Sequence, residues 1–171
     1  MPVKVEVRLD VESMTEFMLY HIYTGSAGAL TLVLGALNIG LTVSFALGGK
    51  YLYAVLFLVF TLLILLAFPK FIKSKVKRQM EGATKLKEPL NYEFNDEGVA
   101  TVTTSDRKTK QWDQFKKAVS RKKTIILYDH SRRAIILPVE QLGESYTAVV
   151  DMIAAHMPGE AVKIIRTDGK K

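Results

Sequence analysis

The sequence predicts an α+β protein. A two-helix transmembrane hairpin is inserted in a small cytoplasmic antiparallel β-sheet, or partial barrel, closed by a C-terminal helix. Three observations predict it. Residues 24–49 and 51–69 carry no charge, and Lys50 alone separates them. Ahead of that pair, Val3, Val5, Val7 and Leu9 alternate with Lys4, Glu6, Arg8 and Asp10, which is the period of a half-buried strand. After it come several short β-branched runs and one stretch with helical apolar spacing.

The N-terminal strand, 3–9, is followed by Ser13-Met14-Thr15-Glu16, a pattern that opens a helix as a capping box. That helix, 14–23, carries Phe17, Met18, Tyr20, His21 and Tyr23 and is expected along or in the membrane surface, with Gly25 and Gly28 able to bend its junction with the first span. One strand is unstable by itself, so strand 3–9 must pair beyond the hairpin. The cytoplasmic domain is then built from both ends of the chain.

The spans are predicted at 27–47 and 51–68. A helix needs about 20 apolar residues to cross the hydrocarbon core. The second span holds about a dozen Leu, Ile, Val and Phe residues, each favouring insertion by ~0.3–0.6 kcal/mol. The lead-in is acidic and the apolar run starts late, which argues against a cleavable signal peptide. Lys70, Lys73, Lys75, Lys77 and Arg78 follow the second span, and the connecting loop holds Lys50 alone. Cations near span ends stay on the cytoplasmic side, so both termini are expected there, in an inner (cytoplasmic) membrane. Tyr51 and Tyr53 suit the outer interface. Tyr20, Tyr23, Phe68 and Phe71 suit the inner one.

Within the spans, Ala36, Gly40, Ser44 and Gly48 recur every four residues and form a stripe that lets another helix approach closely. The second span is the simplest partner, and an oligomer contact or solute path is the alternative. Asn38 and Thr61 lie equally far from the hairpin centre and are expected to meet.

After the spans, 70–80 reads as a basic helical continuation and 81–89 as a polar linker. Residues 90–94 and 99–104 are strand-like around a turn at Asn95-Asp96-Glu97-Gly98. Residues 105–109 read as a turn, and 110–118 around Trp112 as a strand or short helix. Runs 124–128 and 134–138 flank a hairpin turn. Residues 139–157 form one helix, with Leu142, Tyr146, Val149, Val150, Ile153 and Met157 on one face, stopped by Pro158-Gly159. Residues 163–166 suit a short last strand, and 159–171 as a whole reads as a tail.

The formal net charge is +7. Residues 1–24 come to −2, and residues 70–171 to +8, from 21 basic and 13 acidic side chains. With no cysteine, disulfides and thiolate metal sites are excluded. His21, His130 and His156 lie in different elements, and no HExxH pair, paired metal ligands, Gly-rich phosphate loop or nucleophile with an evident base is present. No cofactor, metal or enzymatic activity is therefore expected.

Tyr92-Glu93-Phe94 with Asp96 to Gly98, Trp112 followed by Phe115, Ile126-Leu127-Tyr128 and Ile135-Ile136-Leu137-Pro138 give the chain a likeness over most of its length. It resembles the YcxB-like family of bacterial two-span membrane proteins. That resemblance implies a C-terminal domain, here 90–158, similar to a pleckstrin-homology (PH) fold. Val139-Glu140 stands where a basic residue is often expected after the proline. The family carries no defined activity to this chain.

The basic residues are the functional lead. Lys70, Lys73, Lys75, Lys77 and Arg78 are placed to contact anionic lipid headgroups, or act solely to set topology. Arg121-Lys122-Lys123 and Arg132-Arg133 are expected at opposite ends of one strand hairpin, with Lys116 and Lys117 beside the first group. Trp112 either anchors the core or lines a groove for peptide or lipid. Nucleic acid is not expected as a partner, since no helix-turn-helix or zinc pattern is present. The expected function is a non-enzymatic, membrane-anchored binding or regulatory module contacting anionic lipid and a protein partner. The alternatives are an accessory subunit or homo-oligomer, and then a small oligomeric transporter.

Overall fold

A computed structural model describes residues 2–83, 88–103, 106–131 and 133–165. Arg132, Thr104, Ser105, the middle of the 81–89 linker and residues 166–171 lie outside the described residues. The chain is α+β and divides into two compact units, Met1–Phe17 with Met80–Lys171, and Met18–Gln79.

In the first unit, β1 (Val3–Val7) pairs antiparallel with β2 (Leu90–Phe94), in register from Val3↔Phe94 to Val7↔Leu90. The strand before the apolar helices thus finds its partner after them. β3 (Gly98–Val102) and β4 (Arg107–Gln111) complete an antiparallel sheet of order β1-β2-β3-β4. A 3₁₀ turn at Trp112–Gln114 leads into β5 (Phe115–Ser120), β6 (Thr124–Asp129) and β7 (Ala134–Pro138). The second sheet has order β7-β6-β5-β8, where β8 (Val162–Lys163) pairs parallel with β5.

Period-two burial explains the first sheet. Val5, Val7, Tyr92 and Phe94 are buried, and Lys4, Glu6 and Asn91 face out. In the second sheet β6 lies between β5 and β7, and all six of its residues are buried. The core joins Phe94, Trp112, Phe115, Ile125, Leu127 and Leu137 to Val149, Val150 and Ile153 of a helix. Each such buried apolar side chain contributes about 1.5–3 kcal/mol.

Three local readings need correction. The helix α1 (Val11–Thr24) starts before the serine. Asp10 caps it, accepting hydrogen bonds from Ser13 N (2.7 Å) and Ser13 Oγ (2.9 Å), because an Asp side chain here reaches the third helical N–H directly. Glu16 is thereby released from capping, and its carboxylate accepts from Lys123 N (2.9 Å) and Thr124 Oγ1 (2.8 Å). The stretch 139–157 is two helices, α4 (Val139–Leu142) and α5 (Ser145–His156). Gly143 between them takes φ +48°, a conformation that ends a helix and favours glycine. β4 takes in residues 107–109, where a turn is expected from sequence, as well as 110–111, where a strand or short helix is expected, because an exposed edge strand needs no apolar alternation.

Asp129 closes the end of β6 and joins the two sheets through an ion pair with Lys110 of β4. Arg133 N also donates to Asp129 Oδ1 (2.7 Å). Burial pushes the carboxyl up, but the hydrogen bonds from Lys110 and the Arg133 and Ser131 backbone, with the Lys110 charge, outweigh it and hold it below the ordinary carboxylate value.

In the second unit, α2 (Ser26–Leu47) and α3 (Tyr51–Gly82) are long apolar helices joined at Gly48-Gly49-Lys50. Lys50 N donates to Phe45 O (2.9 Å), closing the turn. The α1–α2 junction is broken at Gly25, and a Cβ on Gly28 would lie 2.1 Å from the Tyr23 carbonyl oxygen. The close backbone approach there requires glycine. Pro69 lies inside α3, where its missing N–H leaves the carbonyl four residues earlier without its helical donor.

Candidate functional site

Two segments, Gly28–Leu47 of 20 residues and Tyr51–Gly82 of 32 residues, are long and apolar enough to cross a membrane. Their apolar windows are 6% buried within the chain, which distinguishes them from the core helices of a soluble fold. Leu30, Leu32, Leu37, Leu52, Leu56 and Leu65 are among the many large apolar side chains that point outward. Soluble monomers rarely expose an apolar surface this continuous.

The helices meet along one face of α2. Asn38 Nδ2 donates to Thr61 Oγ1 (2.6 Å) and approaches Phe57 O (3.3 Å). Thr61 Oγ1 donates to Phe57 O (2.9 Å), and Thr42 Oγ1 to Asn38 O (2.9 Å). Nearer the turn, Phe45 stacks on Phe57 (5.5 Å between centroids) and lies 5.4 Å from the Tyr53 ring. At the other end Tyr23 meets Phe68 edge-on at 6.1 Å.

The small-residue stripe does not serve this contact. Ala36, Gly40 and Ser44 are exposed, while Asn38, Thr42 and Phe45 are half-buried. At ~100° per residue the two sets lie on roughly opposite sides of α2. Hydrogen bonding by Asn38 and the bulk of Phe45 orient the helix, so the stripe faces away from α3.

The basic segment after the second apolar run continues it as helix, as expected from sequence, and forms the last turns of α3. Lys70, Lys73, Lys75, Lys77 and Arg78 are all exposed, whereas Ile72 and Val76, four apart, are buried. With ~100° per residue, the cations fan over an arc of roughly 200° opposite the buried side. Phe71 is 65% exposed within that arc.

In the first unit the other basic residues are distributed differently from the sequence expectation. The antiparallel register places Phe115 opposite Asp129 and Ser120 opposite Ile125. Lys116 and Lys117 therefore lie at the Arg133 end of the β6–β7 hairpin, away from Arg121, Lys122 and Lys123. Lys117 Nζ sits 4.8 Å over the Tyr128 ring.

Trp112 is 7% exposed and belongs to the core. Its Nε1 donates to Asn95 O (2.9 Å), and its ring stacks on His156 at 5.2 Å and 14°. His156 Nδ1 is 3.0 Å from Met152 O. His130 is exposed in the turn after β6. An open pocket of about 320 Å³ is lined by Asp10, Glu12, Ser13, Lys123, Pro138 and Glu140. Its polar groups serve one another: Glu12 pairs with Lys123, and its hydrogen bond and charge hold the ammonium above its ordinary pKa.

Sequence reasoning missed Glu16 as a clamp on the β5–β6 turn, Lys110 as the partner of Asp129, and His156 as the stacking partner of Trp112. No periodicity marks such long-range polar contacts. In comparisons with known proteins, no family model, curated protein or solved structure matches this chain.

Proposed function

We propose that this chain is a two-span protein of a bacterial cytoplasmic membrane, with both termini cytoplasmic. It is a non-enzymatic binding or regulatory module whose basic α3 extension contacts anionic lipid headgroups. The observation that carries the reading is the sequence of surfaces along α3. Outward-facing apolar side chains run from Tyr51 to Pro69, and five exposed cations follow directly. Nineteen residues of helix span ~28 Å, close to the ~30 Å hydrocarbon core. The eight-residue step from Lys70 to Arg78 covers a further ~12 Å, which spans the headgroup layer and its near surface. Lys50 alone marks the other side, and such asymmetry favours a cytoplasmic basic end.

The resemblance to the YcxB-like family is part of this proposal, as is a PH-like identity for the domain. Its support is the order of elements: a four-stranded antiparallel sheet, a second sheet begun by the β5–β6–β7 meander, and then a helix packed into the core. Fold alone assigns no ligand.

The test uses the full chain reconstituted in phosphatidylcholine bilayers containing a minority of anionic phospholipid. Lipids retained on extraction into mild detergent are then quantified by mass spectrometry. At roughly 1 kcal/mol per cation near the surface, the wild type should enrich anionic lipid at least ~10-fold over bulk. The variant with Lys70, Lys73, Lys75, Lys77 and Arg78 all changed to Gln should fall to the bulk ratio. Protease protection checks that its topology is kept. Undiminished enrichment in a correctly inserted variant would overturn lipid contact.

A second reading, an accessory subunit or homo-oligomer, is favoured by the outward face of Ala36, Gly40 and Ser44. A Cβ on Gly40 meets nothing within 4 Å, so Gly40→Leu fits the hairpin itself. It should weaken any assembly through that face, read as oligomer size or co-purifying protein, and leave the retained lipid unchanged.

A further inference from the structure

Where the β2–β3 turn meets the end of α5, one imidazole is enclosed by groups that suit a cation. His156 is the last residue of α5, so the carbonyl end of that helix, with its partial negative charge, lies against it. Its Nδ1 is 3.0 Å from Met152 O. A carbonyl oxygen only accepts, so this nitrogen carries a hydrogen. The ring stacks on the Trp112 indole at 5.2 Å between centroids and 14°, within the range at which an aromatic face attracts a cation. On the remaining side, Nε2 lies 3.6 Å from Asp96 Oδ1.

With Nδ1 donating, the neutral ring has a lone pair on Nε2, and that lone pair faces a carboxylate. Protonation replaces it with a second N–H. Repulsion becomes attraction, and the helix end and the indole face both favour the new charge. Imidazole is the side chain whose ordinary titration falls between about pH 5 and pH 8. The His156 side chain is 25% exposed, so protons reach it from water. The other acids on the surrounding elements are Glu97 beside Asp96, Asp113 beside Trp112, Asp151 at ~140° around α5 and Glu160 beyond it, all exposed. Lys110, two residues before Trp112, is engaged by Asp129. Among the described residues, Asp96 is the acid paired with the ring.

Asp96 belongs to a turn organised by its neighbour. Glu97 N (3.0 Å) and Gly98 N (2.9 Å) both donate to Asn95 Oδ1, and Asn95 O accepts from Trp112 Nε1. The turn, the indole and the imidazole are thus one connected assembly. We propose that His156 is a proton-operated latch between α5 and the β2–β3 turn. Protonated, it binds Asp96 and holds the turn against the helix end. As the pH rises and the ring loses its charge, the contact is lost and the turn is released. The inference does not depend on lipid contact by α3.

Trp112 is the single tryptophan of the chain, so its emission reports this corner directly in the full chain in detergent micelles. A protonated imidazole stacked on an indole quenches its emission by accepting an electron from the excited ring. Emission should fall as the pH is lowered from about 8 to about 5.5, and His156→Gln should abolish that loss. Asp96→Asn, at an exposed position, should move the titration to lower pH. Amide hydrogen exchange, compared with the wild type at the same pH, reads the latch itself. At about pH 5.5, Asp96→Asn should speed exchange at Glu97 and Gly98 about 2–5-fold, the size of an exposed ion pair. At about pH 8 it should change little. Emission that titrates equally in the wild type and His156→Gln would overturn the proposal. So would an Asp96→Asn effect of the same size at both pH values, which makes Asp96 a structural turn residue. Quenching with no change in turn exchange would overturn it as well, leaving a titrating side chain that latches nothing.

Discussion

Gly98→Ala should destabilise the β-domain by about 3 kcal/mol or more, in the upper tail of single substitutions. A Cβ at this position would lie 1.9 Å from the Lys110 carbonyl oxygen and 2.8 Å from Gln111 Cα. Both are backbone atoms of β4, so no side-chain rotation relieves the clash. β4 would have to withdraw from β3, along a register running from Gly98↔Gln111 to Val102↔Arg107. That movement would also pull Lys110 from Asp129 and leave a buried carboxylate without its charge partner, a costly state. Gly98 further closes the β2–β3 turn, where its N–H lies 2.9 Å from Asn95 Oδ1. Gly159→Ala is the control, because a Cβ there meets nothing within 4 Å, and it should change stability little. Thermal unfolding of the full chain in detergent, followed by far-UV circular dichroism, measures both. A Gly98→Ala midpoint within about 2 °C of the wild type would show that β4 can shift at little cost.

The elements that repeat were legible in the sequence. Charge-free runs of twenty residues have few soluble explanations, and the two long helices fall where they were expected. The alternation from Val3 to Leu9 required a partner beyond the hairpin, and β2 supplies it. The β6–β7 hairpin followed from two apolar runs flanking a polar turn. What was illegible depends on a single residue or on direction. β4 reads Arg-Lys-Thr-Lys-Gln, whose strand character comes from pairing with β3 and not from its own pattern. The α4–α5 break rests on one glycine inside a stretch whose apolar spacing continues undisturbed. Spacing also showed that Ala36, Gly40 and Ser44 share a face, but not which way it points. That direction was set by Asn38 and Phe45, which make the stronger contacts with α3. The grouping of Lys116 and Lys117 with Arg121 followed sequence proximity. Strand pairing reverses it, because four residues of strand separate two positions by ~13 Å.

Trp112→Ala should cost about 3–5 kcal/mol, the usual range for removing a large buried aromatic. The ring lies in the core, 6.4 Å from Phe94 and 6.0 Å from Phe115 between centroids, and stacks on His156 at 5.2 Å. Collapse around the resulting cavity is limited, because the ring bridges the end of β4, the start of β5 and the C-terminal end of α5. Trp112→Phe separates the two parts of this cost. It keeps an aromatic ring and loses the Nε1–H donor to Asn95 O, a loss of about 1 kcal/mol with some further cost for the smaller ring. If Trp112 instead served as a ligand-facing side chain, the alanine variant would keep its melting temperature and lose binding alone. The position also makes a prediction about coupling. Gly98 pairs with Gln111, the residue before Trp112, and the Trp112 donor and the Gly98 N–H both reach the Asn95 carbonyl. The two residues therefore hold one corner of the domain, where the β2–β3 turn meets the β4–β5 turn. Substitutions at a shared contact do not add. The double variant Gly98→Ala/Trp112→Ala should lose less stability than the sum of its parts, because once β4 withdraws from Gly98 the indole has already lost its carbonyl. Strict additivity would place the two residues in independent parts of the core.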